Sequence, residues 1–326
     1  MADIRLFNRS VIMGTSSTKL AIIGSVNFDI VAQVGRFPKE GENLPASQLS
    51  TFSGGKGANR AVAAARLGAK ASFIGAIGND PFGKIISEEL KRNQVNLNAL
   101  KIDPERPTGC AFITVFPSGN NAIIAGRGAN EGLSPADIEK AADMIESSDA
   151  IVVDLEIPFE TVEAALRLAR KKEKFSILDA GPAKRCPVEI LQLADIVSPN
   201  ESELEMLSGI SVTDVESAYE AGNELLAQGV KELVLKLGAR GSAWMKLQKR
   251  QHFPAVDVVA IDPTAAGDAF TTAFAIKFVQ TRDMETAIKY ANIAGALTTT
   301  RMGALPSLPT SKDIDNILST ICKYDN

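Results

Sequence analysis

Short runs of consecutive apolar residues alternate along the chain with longer stretches whose apolar positions recur every three to four residues. The runs LAIIGSV (20–26), ASFIGAIG (71–78), AIVVDLE (150–156), FSILDAG (175–181), DIVSPN (195–200) and ELVLKLG (232–238) have the length of strands. They lack the alternation of a half-exposed strand, so each predicts a strand buried on both faces. ANRAVAAARLGA (58–69), PFGKIISEELKRN (81–93), SPADIEKAADMIES (134–147) and PFETVEAALRLARKK (158–172) carry the helical period between them. Strands alternating with helices predict an α/β fold, with a mainly parallel central sheet and helices on both faces. Ligands of such folds bind beyond the carboxyl ends of the strands.

Two stretches break the alternation. Residues 30–53 hold two extended segments around Pro-Lys-Glu-Gly, and residues 108–126 hold two apolar runs joined by Pro-Ser-Gly-Asn-Asn. Both read as hairpins. Together they predict a small antiparallel β lid over the main sheet, or else plain surface hairpins. Nearer the carboxyl end, VDVVAIDPTAAGD (256–268) reads as a strand, a turn and a helix start, and AFTTAFAIKFVQ (269–280) continues the helix. No repeat or low-complexity linker divides the 326 residues.

Composition narrows the classes. A net charge of −4 without long runs of one sign disfavours a nucleic-acid surface. Cys110, Cys186 and Cys322 are odd in number and far apart, so they form no disulfide framework and fit a reducing, cytoplasmic setting. The one histidine, His252, has no acid or cysteine at ligand spacing and reads as a partly exposed strand residue. No apolar run reaches membrane-spanning length. Residues 1–18 read as an N-terminal extension without the apolar core of a secretion signal, leaving 19–326 as one domain.

The candidate chemistry lies where small residues open helices. In DPTAAGD, Ala265, Ala266 and Gly267 leave backbone N–H groups bare at a helix mouth, which suits an anion. Asp268 is either a base beside that anion site or an ordinary acidic residue of a first turn; physics alone weighs the two equally. SGGKGAN (53–59) is a second glycine-rich helix start. Lys56 is followed by glycine, not Ser or Thr, so it is no Walker A loop. Gly54 and Gly55 admit close approach to the backbone, while Lys56 and Asn59 offer donors to sugar hydroxyls; close helix packing explains the glycines as well. Asn27 and Asp29, two apart in an extended chain, point to one side and could hold a diol, although an Asx turn suffices for the pair. Asn200 with Glu203 has helix-capping spacing. The strand and glycine turn LKLGARG (235–241) could lie against a nucleotide. The chain lacks G-x-G-x-x-G, which argues against a dinucleotide-dependent dehydrogenase.

In order and spacing these pieces are distinctive. SGGKGAN followed by GNDPFG (78–83) resembles the first signature of the PfkB carbohydrate kinase family, and DPTAAGDAF (262–270) resembles its second. The likeness runs from about residue 19 to 320 and is strongest to members that phosphorylate ribose, through GSVNFD, DLE, SPNESE, LGARG and TRMGALPS. It implies ATP-dependent transfer to the 5-hydroxyl of D-ribose, Mg2+ accompanying ATP, activation by K+, and a homodimer joined through the lid. Asp268 would be the catalytic base and Ala265, Ala266 and Gly267 the anion hole. Asn27, Asp29, Gly55, Lys56, Asn59 and Glu156, with Asp268, would meet the sugar. Asn200, Lys236, Leu237, Gly238, Ala239, Arg240, Gly241, Gly267 and Asn292 would meet ATP. Glu203 would orient Mg2+ through water, and Asp262, Thr264, Thr298, Arg301, Gly303 and Ser307 would surround the monovalent cation.

Three positions depart from the family pattern. Pro263 replaces the usual Thr and removes an N–H beside the cation loop. Asp179-Ala-Gly-Pro-Ala stands where Asn-Pro-Ala-Pro-Ala is frequent, and Asn292 stands where some members carry His. An adenosine-type nucleoside kinase, or a kinase of another sugar, is the alternative within the family; the 6% aromatic content offers few platforms for a base. A non-catalytic binding protein on this scaffold would be expected to lose Asp268 or the anion hole, and both are present.

Overall fold

The computed structural model describes residues 17–118 and 120–324. Most of the expected extension, and the side chain of Cys322, lie outside the described residues. Among the described residues thirteen strands form two sheets: β1 Lys19–Ile23, β2 Asn27–Gln33, β3 Gln48–Gly54, β4 Lys70–Gly78, β5 Asn96–Asp103, β6 Gly109–Val115, β7 Asn121–Gly126, β8 Ala150–Asp154, β9 Phe175–Asp179, β10 Ile196–Ser198, β11 Glu232–Lys236, β12 Ser242–Lys246 and β13 Lys249–Phe253.

The large sheet runs β13-β12-β11-β10-β9-β8-β1-β4-β5. It is parallel from β11 to β5, and the β12–β13 hairpin continues it antiparallel. In β1, Leu20 and Ile22 enter one core with the helices Lys56–Arg66, Ala266–Thr281 and Met284–Thr299, whereas Ala21 and Ile23 enter the other with the helices Phe159–Lys171 and Val215–Ala227. The period of two thus feeds two separate cores, which is why the strand must be apolar throughout. From β1 the chain order steps to β4 and β5 on one side and to β8, β9, β10 and β11 on the other. That reversal opens a crevice at the carboxyl ends of the strands.

The second sheet has the order β3-β2-β6-β7 and is the small lid. Its hairpins β2/β3 and β6/β7 are antiparallel, as the turn signals predict; the central pair β2/β6 joins them in parallel register.

Two expectations fail locally. The strand expected in VDVVAI does not form. Residues 254–265 contain no strand, and this run makes only two ladder-like bonds, from Ile261 and Asp262 N–H to the Thr299 carbonyl (2.7 and 3.0 Å). Val259 is 85% exposed. The sheet already ends at β13, and the run instead walls a cleft. The helix expected over 134–147 is broken at Ala141 into Pro135–Lys140 and Ala142–Glu146.

Candidate active site

The helix Ala266–Thr281 begins without a side-chain cap, because its N-cap residue is Ala265, held at φ +62°. The Ala266 N–H turns back to the Pro263 carbonyl at 3.1 Å. Among the described residues the N–H groups of Ala265 and Gly267 meet no acceptor of the chain. Bare donors at the positive end of a helix dipole suit a migrating negative charge. A Cβ added to Gly267 would come 3.8 Å from Lys236 Nζ, so that ammonium stands over the same spot. Asp268 is buried beside it and lines the cleft. Its Oδ2 accepts from Asn59 Nδ2 and its Oδ1 pairs with Arg60 Nη2, each at 2.9 Å.

Arg60 is fully buried and meets two further carboxylates. Nη1 pairs with Asp154 at 3.0 Å and Nη2 with Asp179 at 2.9 Å. Asp154 and Asp179 close the neighbouring strands β8 and β9 in matched register. Asp179 also accepts from Lys236 Nζ (2.6 Å) and Thr271 Oγ1 (2.7 Å). Burial works against its charge, but Arg60, Lys236 and Lys56 prevail and hold its carboxyl well below the usual range.

The expected sugar-binding residues gather on the lid side of Asp268. Gly55 has φ +90°, and a Cβ there would lie 2.6 Å from Val26 Cα, so only glycine lets the Lys56–Arg66 helix start so close to the chain after β1. Lys56 is desolvated, yet the carboxylates of Asp268, Asp179 and Glu156 outweigh burial and raise its pKa. Its N–H donates to Ser25 Oγ (3.1 Å), which in turn donates to Glu156. Asn59 Oδ1 is buried with no partner among the described residues. An orphaned acceptor of this kind costs about 1–3 kcal/mol until something donates to it. Asn27 Oδ1 accepts from Asn130 Nδ2 at 2.9 Å.

Asp29 lies against Gly54, whose absent Cβ would be 2.1 Å from its Oδ2. Burial, with Glu156 adding repulsion, pushes its carboxyl up to about 7. The folded protein therefore holds this proton more tightly than the unfolded chain does. The stability it contributes is complete below the ordinary carboxylate pKa of 3.8 and is lost as pH rises through about 7. Asp29→Asn is expected to gain melting temperature relative to wild type as pH rises from roughly 4 to 7, the window the shift spans. Differential scanning fluorimetry on the pair checks this; a difference that does not change with pH contradicts it.

The nucleotide side is a cleft of about 1110 Å³. Among the expected residues, Lys56, Asn200, Glu203, Lys236, Gly238–Gly241, Ala265–Asp268 and Asn292 line it together. Leu237 does not: its side chain is 1% exposed and packs in the core. Asn200 and Glu203 form the capping box their spacing predicts, through Glu203 N–H to Asn200 Oδ1 (2.9 Å) and Asn200 N–H to Glu203 Oε2 (2.8 Å). Gly181 leaves room for Glu203 Oε1 and Lys56 Nζ to approach, since a Cβ there would come within 2.7 and 2.8 Å of them. His252 sits exposed on β13, its Nε2 2.7 Å from the Arg240 carbonyl. Asn292 Nδ2 donates to the Pro254 carbonyl at 3.3 Å.

The expected cation segments do meet. Asp262 Oδ2 accepts from Gly303 N–H (2.8 Å), and Oδ1 accepts from Thr264 N–H and Oγ1 (2.9 and 2.6 Å). Thr298 and Ser307 are buried with their hydroxyls turned to the Ala294 and Ala304 carbonyls, while Arg301 is exposed. Asp262 thus ties the two segments together, while the hydroxyls of Thr298 and Ser307 are taken up by carbonyls of their own helices. Among the described residues no group of three or more His, Cys, Asp or Glu gathers as a metal site.

Arg60 and Asp154 escape a reading by motif. Their signal is nonetheless present: a lone charge inside the alanine-rich face Ala58–Ala64, and an acid ending an all-apolar strand. Buried charges of this type are rare unless they are paired.

A bare helix mouth, a carboxylate inside it, a nucleotide-sized cleft and polar side chains between it and the small sheet define a phosphotransferase that acts on a small hydroxylated molecule. Comparisons with known proteins give the same answer. A model of the pfkB family of carbohydrate kinases matches residues 17–311, and the chain belongs to that family. It is 37% identical over 303 residues to a ribokinase of Staphylococcus aureus, covering 92% of this chain and all of the relative. A deoxyribokinase of Salmonella typhi is 35% identical, with 92% of this chain and 98% of the relative covered. The structure of Arabidopsis thaliana ribokinase complexed with ribose and ATP superposes with a TM-score of 0.86 at 33% identity, covering 93% and 99% of the two chains.

Proposed function

We propose that the chain transfers the γ-phosphoryl group of ATP to the 5-hydroxyl of D-ribose, giving ribose 5-phosphate and ADP. The observation that carries this reading is Asp268, held between Asn59 and Arg60 at the bare helix mouth that lines the cleft. In phosphoryl transfer the protein mainly positions the reactants and neutralises charge. The bond from the sugar oxygen to phosphorus forms as the bond to the ADP oxygen breaks, and the hydroxyl proton passes to the Asp268 carboxylate. The Ala265 and Gly267 N–H groups and Lys236 face the charge on the moving phosphoryl. Asn59, Lys56, Asn27, Asp29 and Glu156 orient the sugar. Asn200, the 238–241 turn and Asn292 hold the nucleotide. Closure of the two lid hairpins excludes water from the transfer.

Mg2+ bound to the ATP phosphates would be held through water by Glu203, whose Oε1 stands beside Gly181, and would supply charge neutralisation. K+ would be held by Asp262 with the oxygens of Thr264, Thr298, Arg301, Gly303 and Ser307, fixing the loop that precedes the anion hole. The test is ATP consumption with ribose, 2-deoxyribose, fructose and adenosine, each in K+ and in Na+. Ribose with K+ is expected to give the highest kcat/KM. Preference for deoxyribose or adenosine moves the substrate assignment, and equal rates in both cations remove the cation site.

The lid also supports a homodimer. Leu49, Phe112 and Ile124 are 67%, 53% and 61% exposed, and strand register sets them on the lid face opposite Asp29. An apolar patch on a projecting sheet suits a second copy. Sedimentation is expected to give twice the 34.6 kDa chain mass; a monomer at micromolar concentration contradicts it. No helix among the described residues is long and apolar enough to cross a membrane. Cys110 and Cys186 are free thiols, which suits a cytoplasmic setting.

A further inference from the structure

We propose that Arg60 is a positioning residue for phosphoryl transfer: it never meets substrate, but holds the base carboxylate of Asp268 in place from behind, at 2.9 Å. This rests on the reading of Asp268 as the base. The alternative, that Arg60 only neutralises buried acids, does not explain the geometry. Asp154 and Asp179 each have other donors. Asp154 accepts from Ser25 N–H (3.2 Å) and Glu156 N–H (2.9 Å), and Asp179 from Lys236, Thr271 and Gly181 N–H (3.2 Å).

Among the described residues Asp268 has two side-chain partners, Asn59 and Arg60, and it alone of the three acids sits in the first turn of the helix whose mouth is the anion hole. Arg60 therefore takes its own orientation from two strand ends that are already fixed and passes it to the one acid that is not. The guanidinium suits this use because it is planar and stays ionised. Its Nη2 stands 2.9 Å from Oδ1 without hydrogen-bond geometry, so it holds Asp268 by charge at contact distance, while Asn59 supplies the directional bond to Oδ2. The same strut links the two substrates' sides: Asp179, which grips Arg60, also grips Lys236 over the anion hole.

Arg60 and Lys56 on the Lys56–Arg66 helix face Asp268 directly; behind them Asp154 on β8, Glu156 just beyond it and Asp179 on β9 face Arg60, and Lys236 on β11 joins Asp179 to Glu203. A single loss of Arg60 unbalances this set. The useful variant is the double Arg60→Gln/Asp154→Asn, which removes one charge of each sign and keeps hydrogen-bonding groups in place. Arg60→Lys keeps the cation and loses the planar fork.

In the folded double variant, kcat is expected to fall about 10–100-fold, with both KM values held within roughly threefold. Arg60→Lys is expected to lose kcat by a smaller factor with both KM values likewise held, and it supplies the comparison if the double variant does not fold. A folded double variant with wild-type kcat overturns the proposal, as does one whose KM values rise while kcat holds, and so does an Arg60→Lys variant with wild-type kcat. Asp268→Asn, measured alongside, separates the two levels. If it keeps turnover, the base assignment falls; if it is inactive while the Arg60 variants match wild type, only the positioning role falls.

Discussion

Asp268→Asn is expected to fold, to melt near the wild-type temperature, and to lose about 10²–10⁴-fold in kcat. That corresponds to roughly 3–5 kcal/mol of transition-state stabilisation. Asparagine keeps the size of the side chain and can still accept from Asn59, but it carries no charge for Arg60 and cannot take a proton. The KM for ATP should change little, because the donors at the helix mouth are backbone N–H groups. Were Asp268 only a first-turn acid, its loss would cost about 1 kcal/mol of stability through the dipole and leave turnover intact. Melting and steady-state kinetics on one preparation separate the two outcomes. A kcat within a few-fold of wild type contradicts the role given to Asp268.

Arg60→Met is expected to be the most damaging single change to the fold. It would leave Asp154, Asp179 and Asp268 buried around an apolar side chain. Breaking a buried ion pair from one side costs roughly 3–5 kcal/mol, a large part of the total stability of an ordinary domain. Low soluble yield, or a fall in melting temperature well beyond that of Asp268→Asn, is the expected result in thermal denaturation. A melting temperature equal to wild type would mean that the acids take up protons at no cost, and the ion-pair account of the site's architecture would be wrong.

Much of this architecture is legible in the chain. Apolar runs such as LAIIG can bury both faces only inside a sheet covered on two sides, and they do. The alanines before Asp268 leave no capping side chain, and the helix mouth is bare as that implies. Legibility ends where an apolar run serves a cleft instead of a ladder. VDVVAI looks like a strand because hydrophobicity records burial or contact, not a pairing partner, and the chain after β13 turns to wall the cleft instead of pairing along that edge. Leu237 lies within the expected nucleotide loop, but the alternation at the end of β11 turns it into the core. Arg60, Asp154 and Asp179 come together from three elements, and no local spacing encodes that meeting. Only the oddity of each, a charge where its neighbours are alanines or valines, marks it in advance.

The central claim is that one hydroxyl of one sugar receives the phosphoryl group under control of Asp268. The most direct test is 31P and 13C NMR of the product formed from ribose and MgATP by wild type and by Asp268→Asn. Ribose 5-phosphate, formed with one ADP per turnover by wild type and nearly absent with the variant, is the predicted result. A phosphate ester at another carbon, free phosphate without ester, or equal product from both proteins would contradict it.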